Sequence, residues 1–194
     1  MKPAKGSWPR DSQDVIASAF RQIILAIGED PERNGLKGTP ERIARMYAEL
    51  FHGTTVDARR ELDVDFDVAH HGVVLLKDVP FYSMCEHHFL PFHGVAHVGY
   101  LPANGRVVGI SKLARAVSTL ARRPQIQERL TDEIADTIGD VLGPLGVGVV
   151  LSAMHLCVEM RGIEKPGSRV VTSTFRGCFE DPDQRAAFWE LLRS

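Results

Sequence analysis

Two short clusters of cysteine and histidine, far apart in the chain, most constrain how this sequence can fold. Cys85 is followed closely by His87 and His88, and a second pair, His155 and Cys157, lies well beyond them. These side chains are preferred zinc ligands, and a catalytic zinc site takes three protein ligands and one water. A single Cys or His is more often a packed side chain, and the spacing matches no zinc finger. Two clusters together favour a metal site that the fold must assemble.

Composition limits the class of protein and its partners. The 194 residues are 44% hydrophobic and 25% charged, as in ordinary globular proteins with one substantial core. A formal net charge of -2 gives no reason to expect a nucleic-acid partner. Three cysteines do not make a disulfide framework. The first ten residues lack the apolar core of a signal peptide and no apolar run is long enough for a membrane span, so we expect a cytoplasmic protein.

The N-terminal third reads as helical. Residues 1–10 predict a flexible arm and residues 11–70 a helical region. Apolar residues at helical spacing predict a first helix that Gly28 ends, and Thr39 before Pro40 predicts a capped start for a second. These two helices are expected to form a hairpin with a packing or assembly role.

Residues 71–194 are predicted to form an α+β domain. The expected strands are residues 73–76, 94–101, 106–110, 147–160 and 170–178, and Asn104-Gly105 forms a hairpin turn. The expected helices are 111–122 with Ser111 as N-cap, 124–142 starting at Pro124, and a terminal helix opened by Asp181-Pro182. This order predicts an antiparallel sheet with two helices on one face.

Polar side chains along the predicted strand 147–160 favour a site on that strand. Two-residue alternation places His155, Cys157, Glu159 and Arg161 on one face, opposite apolar neighbours. A solvent-facing strand also carries His, Glu and Arg, but a cysteine among them is less usual.

Two further groups point to an anionic, guanine-like ligand. Lys112 and Arg115 lie near the start of the helix that begins at Ser111, where free backbone N–H groups favour a phosphate. The Glu128 carboxylate, beside Gln127, can accept two parallel hydrogen bonds from a ring N–H and an adjacent amino group, as guanine presents them. Solvated surface positions remain the alternative for both groups.

Several blocks of the sequence resemble the zinc-dependent, type I GTP cyclohydrolase family. The blocks are Cys85–His88, Gly109–Arg115, Arg123–Leu130, His155–Val158 with Arg161 and Gly162, and Thr172–Thr174. The resemblance runs in order from Thr39 to the C-terminus. It implies an enzyme that converts GTP and water to 7,8-dihydroneopterin triphosphate and formate, the entry to folate and pterin cofactors.

The resemblance also implies roles for particular residues. The implied Zn²⁺ ligands are Cys85, His88 and Cys157. The implied substrate-binding residues are Ser111, Lys112, Arg115, Gln127, Glu128 and Arg161. The implied catalytic residues, which move protons, are His87 and His155. For residues 71–194 the resemblance implies a tunnelling fold, in which sheets from several subunits join into a barrel, ten subunits assemble and sites lie between subunits.

Two alternatives stay open at the level of sequence. One is another tunnelling-fold enzyme acting on a purine or pterin, such as a nitrile reductase or a pterin aldolase, although these lack the combination of Cys85, His88 and Cys157. The other is a non-enzymatic zinc or redox-sensing protein in which Cys85 and Cys157 form a disulfide. A metal with a water ligand would separate an enzyme from a structural site, which four protein ligands close.

Overall fold

The computed structural model describes residues 8–62, 65–67, 70–103 and 106–194. The predicted arm over residues 1–10 lies largely outside them, and the predicted turn at residues 104–105 lies wholly outside them. The chain divides into two compact units, the first ending at Val56 and the second beginning at Asp57. The division at residues 10 and 70 stays a prediction. In the described part, no α-helix is both long and apolar enough to cross a membrane.

The first unit contains helices α1 (Arg10–Ala26) and α2 (Thr39–Leu50). The chain turns after α1 at Gly28, whose φ of 86° favours glycine. The predicted N-cap role of Thr39 is wrong: Gly38 occupies that position in a left-handed conformation, and no side chain caps the helix. Thr39 instead accepts a hydrogen bond from Arg42, 3.0 Å from its hydroxyl.

The second unit is built on a five-stranded mixed sheet with the order β5-β2-β3-β6-β7. Its strands are β2 (Val74–Cys85), β3 (Pro91–Leu101), β5 (Pro124–Gln125), β6 (Gly146–His155) and β7 (Val170–Gly177). Strands β2, β3, β6 and β7 are antiparallel neighbours, whereas β5 runs parallel to β2. The prediction of a purely antiparallel sheet is therefore wrong at this one edge. A separate ribbon pairs β1 (Asp65–Asp67) with β4 (Arg106–Val108).

Helices α3 (Ile110–Ala121) and α4 (Gln127–Leu142) contribute to the main core with the sheet. Buried residues from these helices and from strands β3 and β6 contribute to this core: Leu113, Val117, Leu130, Ile134, Phe92, Val98 and Leu151. Because neighbouring strand residues face opposite ways, Val150 belongs instead to a second cluster with Phe188 of helix α6 (Pro182–Arg193). A Cβ added at Gly148 would lie 2.8 Å from the Phe188 ring, so this glycine makes room for α6.

Helix starts follow the predicted pattern only in part. Asp181 caps α6, accepting hydrogen bonds from the backbone N–H groups of Asp183 and Gln184, each at 3.0 Å. Ser111 is not a cap, because α3 begins one residue earlier and Gly109 is its N-cap. Pro124 does not start α4 either, because it lies in β5.

The predicted strand over 147–160 is too long. Strand β6 ends at His155, and Leu156–Glu159 form the short helix α5. The neighbouring strand explains the end, because the β3–β6 pairing stops where Phe92 meets His155. A shared strand face for His155, Cys157, Glu159 and Arg161 is therefore wrong.

Candidate metal centre and active site

The two cysteine and histidine clusters meet at one end of the sheet. Strands β2 and β6 both pair with β3, and Phe92 of β3 lies opposite Ser83 of β2 and opposite His155 of β6. The ends of β2 and β6 are therefore nearly level. Cys85 is the last residue of β2, and Cys157 lies in α5 directly after β6. Strand register thus brings together residues that are distant in sequence.

A tight turn after β2 returns His88 towards Cys85. The Cys85 carbonyl accepts hydrogen bonds from the backbone N–H groups of Phe89, at 2.8 Å, and His88, at 3.4 Å. The Cys85 N–H donates to the carbonyl of Leu90 at 2.9 Å. Phe89 adopts a φ of 51°, which is rare for a residue with a side chain. The turn therefore holds both candidate ligands of this segment in one place.

The three predicted metal ligands form a cluster that fits zinc. The ligand atoms of Cys85, His88 and Cys157 all lie within 4.8 Å of one another. Cys85 Sγ lies 3.8 Å from His88 Nδ1. Zinc–sulfur bonds of about 2.3 Å and zinc–nitrogen bonds of about 2.0–2.1 Å place neighbouring tetrahedral ligands about 3.5–3.8 Å apart. Small side-chain movements would suffice, and three protein ligands leave a fourth position open.

The electrostatics of the cluster favour a cation. Burial raises the pKa of the Cys157 thiol, and the neighbouring Cys85 raises it further. The Cys157 thiol therefore resists ionisation unless a positive charge lies beside it. A metal ion provides that charge, and its binding releases the thiol protons. Cys85 is buried and His88 is exposed, so one side of the cluster reaches the surface of the chain.

His155 is held beside this cluster by two neighbours. Its ring stacks on Phe92 with centroids 4.6 Å apart and an interplanar angle of 4°. Its Nε2 lies 2.8 Å from Oε1 of Gln127. Burial lowers the pKa of His155, although the charges of Glu128 and Glu159 act in the opposite direction. The neutral ring is therefore favoured near pH 7.

An ion pair with Arg129 holds Glu86, the residue that follows Cys85; we call this pair the brace. The Glu86 carboxylate contacts the guanidinium of Arg129, which keeps the pKa of Glu86 below its usual value. Arg129 Nε also donates to Oε1 of Gln125 at 2.9 Å. The backbone N–H of Glu86 donates to the carbonyl of Gln125 at 3.0 Å. These contacts attach the turn that carries Cys85 and His88 to β5 and α4.

The other predicted site residues occupy varied positions. His87 is exposed next to the cluster, and its Nε2 lies 3.9 Å from the Glu86 carboxylate. Glu128 is exposed in the first turn of α4, close enough for its negative charge to favour the protonated form of His155 and so to raise its pKa. Arg161 follows α5, and its positive charge acts to lower the pKa of the Cys157 thiol. Ser111, Lys112 and Arg115 lie on α3, and their roles stay predictions.

Sequence reasoning missed the supporting residues of this site. It did not assign Arg129 or Glu86 to a brace, and it did not identify Phe92 as the ring under His155. The reason is physical, because each contact joins segments whose proximity depends on strand register. Two residues of the sequence could have indicated this contact. Glu86 lies between the candidate ligands Cys85 and His88, and Arg129 lies in one of the blocks that match the family.

Comparison with known proteins identifies the family. Residues 16–193 match the family described as GTP cyclohydrolase I. GTP cyclohydrolase 1 of Thermoanaerobacter pseudethanolicus is 55% identical over 183 residues, which cover 94% of this chain and 97% of that protein. GTP cyclohydrolase 1 of Dehalococcoides mccartyi is 56% identical, covering 93% of this chain and 97% of that protein. A structure of the archaeosine synthase QueF-Like in the apo form aligns with a TM-score of 0.43 and 20% identity, over 54% of this chain and 93% of that chain, which is too weak to carry an argument. On the match over most of its length, the chain belongs to the GTP cyclohydrolase I family.

Proposed function

We propose that this chain catalyses the reaction of its family, the conversion of GTP and water to 7,8-dihydroneopterin triphosphate and formate. The observation that carries the proposal is the convergence of Cys85, His88 and Cys157 beside His155. A three-ligand Cys and His cluster next to a histidine that favours its neutral form suits hydrolysis of a heterocycle. Membership in the family gives the substrate, since the relatives bear the name GTP cyclohydrolase 1.

In this proposal Cys85, His88 and Cys157 hold Zn²⁺. The donor set supports zinc, because two thiolates and an imidazole are ligands it prefers, and only small side-chain movements would bring the three ligand atoms to tetrahedral spacing. A bound zinc ion supplies Lewis-acid activation of water near neutral pH. The brace between Arg129 and Glu86 keeps the ligand-bearing turn in position.

The remaining site residues bind GTP and move protons. Glu128 accepts hydrogen bonds from the guanine edge, and its exposed position at the start of α4 leaves the carboxylate accessible. Ser111, Lys112, Arg115 and Arg161 bind the triphosphate and ribose. His87 and His155 move protons during ring opening and formate release, for which imidazole suits neutral pH. Binding energy from the remote triphosphate positions the base for reaction.

We also propose the tunnelling fold and a decamer for this chain. The outer strand β7 is an edge of the sheet, and Val170 and Val171 on it are 37% and 64% exposed. An exposed apolar edge strand tends to pair with another chain. In the proposed assembly, neighbouring subunits extend the sheet there and complete each site.

A direct assay tests the proposed reaction. Metal-replete protein is incubated with GTP, with and without a chelator, and formate and the oxidised fluorescent pterin are measured. We expect both products, their loss on chelation and their return with added zinc. Formate without pterin would indicate an enzyme that stops after ring opening. If assembled, zinc-loaded protein forms neither product, the proposal is wrong, and the alternative of a non-enzymatic zinc or redox-sensing protein is favoured.

A further inference from the structure

The side chain of Gln127 is a buried polar group whose orientation is fixed by its surroundings. Gln127 is 1% exposed and is the first residue of α4. Its Nε2 lies 3.3 Å from the carbonyl oxygen of Leu151 in β6 and 3.0 Å from that of Val170 in β7. Backbone carbonyls only accept hydrogen bonds, so the amide nitrogen must face them. The reversed amide would place its oxygen against two carbonyl oxygens without a proton between them.

Two threonines fix the same direction independently. Thr131 Oγ1 donates its only proton to the backbone carbonyl of Gln127 at 2.7 Å. Thr131 also lies 2.6 Å from Thr172 Oγ1, so in that contact Thr172 is the donor. Thr172 Oγ1 then has a lone pair to accept from Gln127 Nε2, 3.1 Å away. Each hydrogen bond of the group has one consistent direction, with the amide oxygen of Gln127 left facing His155.

This direction determines where the proton of His155 lies. The Gln127 Oε1 atom can only accept, so the His155 Nε2 atom, 2.8 Å away, must carry a proton. A neutral imidazole has a single N–H group, so Nδ1 is then unprotonated. Stacking on Phe92, with rings 4.6 Å apart and nearly parallel, opposes rotation of the imidazole, and a ring flip would place Cε1 rather than Nε2 beside the Gln127 oxygen.

We infer that Gln127 is a positioning residue that holds His155 with its proton on Nε2, so that His155 exchanges protons with the substrate through Nδ1. The inference rests on the proposed catalytic role of His155 and adds the atom and the direction of transfer. Neutral His155 accepts at Nδ1 the proton that the attacking water loses, and afterwards returns a proton from the same atom to the ring nitrogen released on ring opening. The Nε2–H group stays bonded to Gln127 throughout, as an orienting partner requires. Because its amide is engaged within the protein, Gln127 acts on His155 rather than on the guanine edge.

The tautomer can be measured on the full-length protein without substrate. Protein labelled with ¹⁵N-histidine is studied by solid-state ¹⁵N NMR, zinc-loaded and zinc-free, at about pH 8, above the ordinary histidine pKa of about 6.5. Protonated and unprotonated ring nitrogens have separate shifts, and His155→Gln identifies the signals of His155 among the 8 histidines. We expect protonated Nε2 and unprotonated Nδ1. The opposite tautomer, or an even mixture, would overturn the inference, and this test needs no altered Gln127.

A variant pair tests whether Gln127 is the cause. Gln127→Met keeps the approximate size but removes the acceptor, so both tautomers of His155 should then be populated. Gln125→Met is the matched control: Gln125 is also 1% exposed, but its amide contacts Leu120, Glu133 and Arg129 rather than His155. An unchanged tautomer in Gln127→Met, or an equal change in Gln125→Met, would contradict the assignment.

Kinetics supply the second readout. We expect kcat of Gln127→Met to fall by about 10- to 100-fold, by analogy with the partners that orient metal-ligating histidines, while KM changes little. A rise in KM at unchanged kcat would mean that Gln127 binds substrate, and would overturn the inference. If neither wild type nor variant releases formate, the proposed function fails, while the tautomer result stands or falls separately.

Discussion

At the scale of single residues, the metal cluster depends on two cysteines that have different surroundings. Cys85 is buried at the end of β2, while Cys157 is half-buried in α5. The third cysteine, Cys178, packs in the second apolar cluster around Phe188. Because Cys178 lies in this other cluster and not among the candidate ligands, it provides an internal control for any experiment on the thiols.

We expect Cys157→Ala to lose bound zinc, because two remaining ligands hold the ion far more weakly than three. The bound zinc measured by elemental analysis after gel filtration should fall from about one per chain towards zero, with loss of GTP turnover. Cys178→Ala should keep both. Full zinc content in Cys157→Ala would mean that the cluster of Cys85, His88 and Cys157 is not the metal site.

The residue scale also sets the limit of what the sequence predicts. Residue types and family blocks named Cys85, His88 and Cys157, and the structure brings these three together. They did not reveal the contacts of Gln127. Its orientation depends on backbone carbonyls of β6 and β7, which every residue type presents alike, so no pattern of side chains marks them.

At the scale of elements, α4 supports the turn that carries Cys85 and His88 through Arg129. The same helix carries a comparable ion pair elsewhere: Arg176 of β7 contacts Asp136 at 2.9 Å and Asp132 at 3.1 Å. Both arginines have similar exposure, 41% and 40% of the side chain. The two pairs therefore differ mainly in whether they touch the segment after Cys85.

We expect Arg129→Met to weaken zinc binding by about 10- to 100-fold, as for other contacts that orient metal ligands. Competition with a chromophoric chelator measures this affinity. Arg176→Met should leave zinc affinity unchanged even if it lowers thermal stability. Equal zinc affinity in the two variants would show that the brace has no part in holding the turn.

The pairing of β2 with β3 shifts register between Leu76 and Val79, and the contact made at this irregularity makes stability depend on pH. Asp78, with a φ of 55°, donates its backbone N–H to Nδ1 of His97 at 3.2 Å, an interaction that needs an unprotonated Nδ1. Burial lowers the pKa of His97, with Lys77 adding to this effect and Asp78 opposing it. The unfolded chain therefore binds more protons than the folded chain between the lowered pKa and the ordinary value of about 6.5.

We expect the thermal midpoint of wild type to fall as pH drops below about 6.5, and to fall less in His97→Phe, which has no group to protonate there. Thermal unfolding from pH 8 to 5, at fixed protein concentration, measures both curves. Parallel curves for the two proteins would contradict the proposed role of His97.

Element types were largely predictable, whereas their ends were not. Helical spacing located α1, the Thr39-Pro40 signal located the start of α2, and the Asp181-Pro182 signal located the start of α6. The end of β6 depends on how far β3 extends beside it, and β5 exists only because it pairs with β2. Both are properties of tertiary pairing, which local residue patterns do not contain.

At the scale of the whole molecule, the exposed edge of the sheet at β7 supports pairing between subunits, and the number of ten comes from the resemblance to the family. If the proposed decamer forms, native mass spectrometry should give ten times the chain mass of 21.5 kDa. Val171→Lys, at a position 64% exposed in the single chain, should shift the assembly to smaller species and lower turnover with it. An active monomer would contradict a site shared between subunits.

The proposed function requires that Cys85, His88 and Cys157 form an open zinc site at which GTP is hydrolysed. X-ray absorption at the zinc edge of the purified, zinc-loaded protein measures the ligands of this site. We expect two sulfur ligands at about 2.3 Å and two nitrogen or oxygen ligands at about 2.0–2.1 Å, one of the latter being exchangeable water. Three or four sulfur ligands, or a site closed by four protein ligands, would mean a structural metal and would overturn the proposed site.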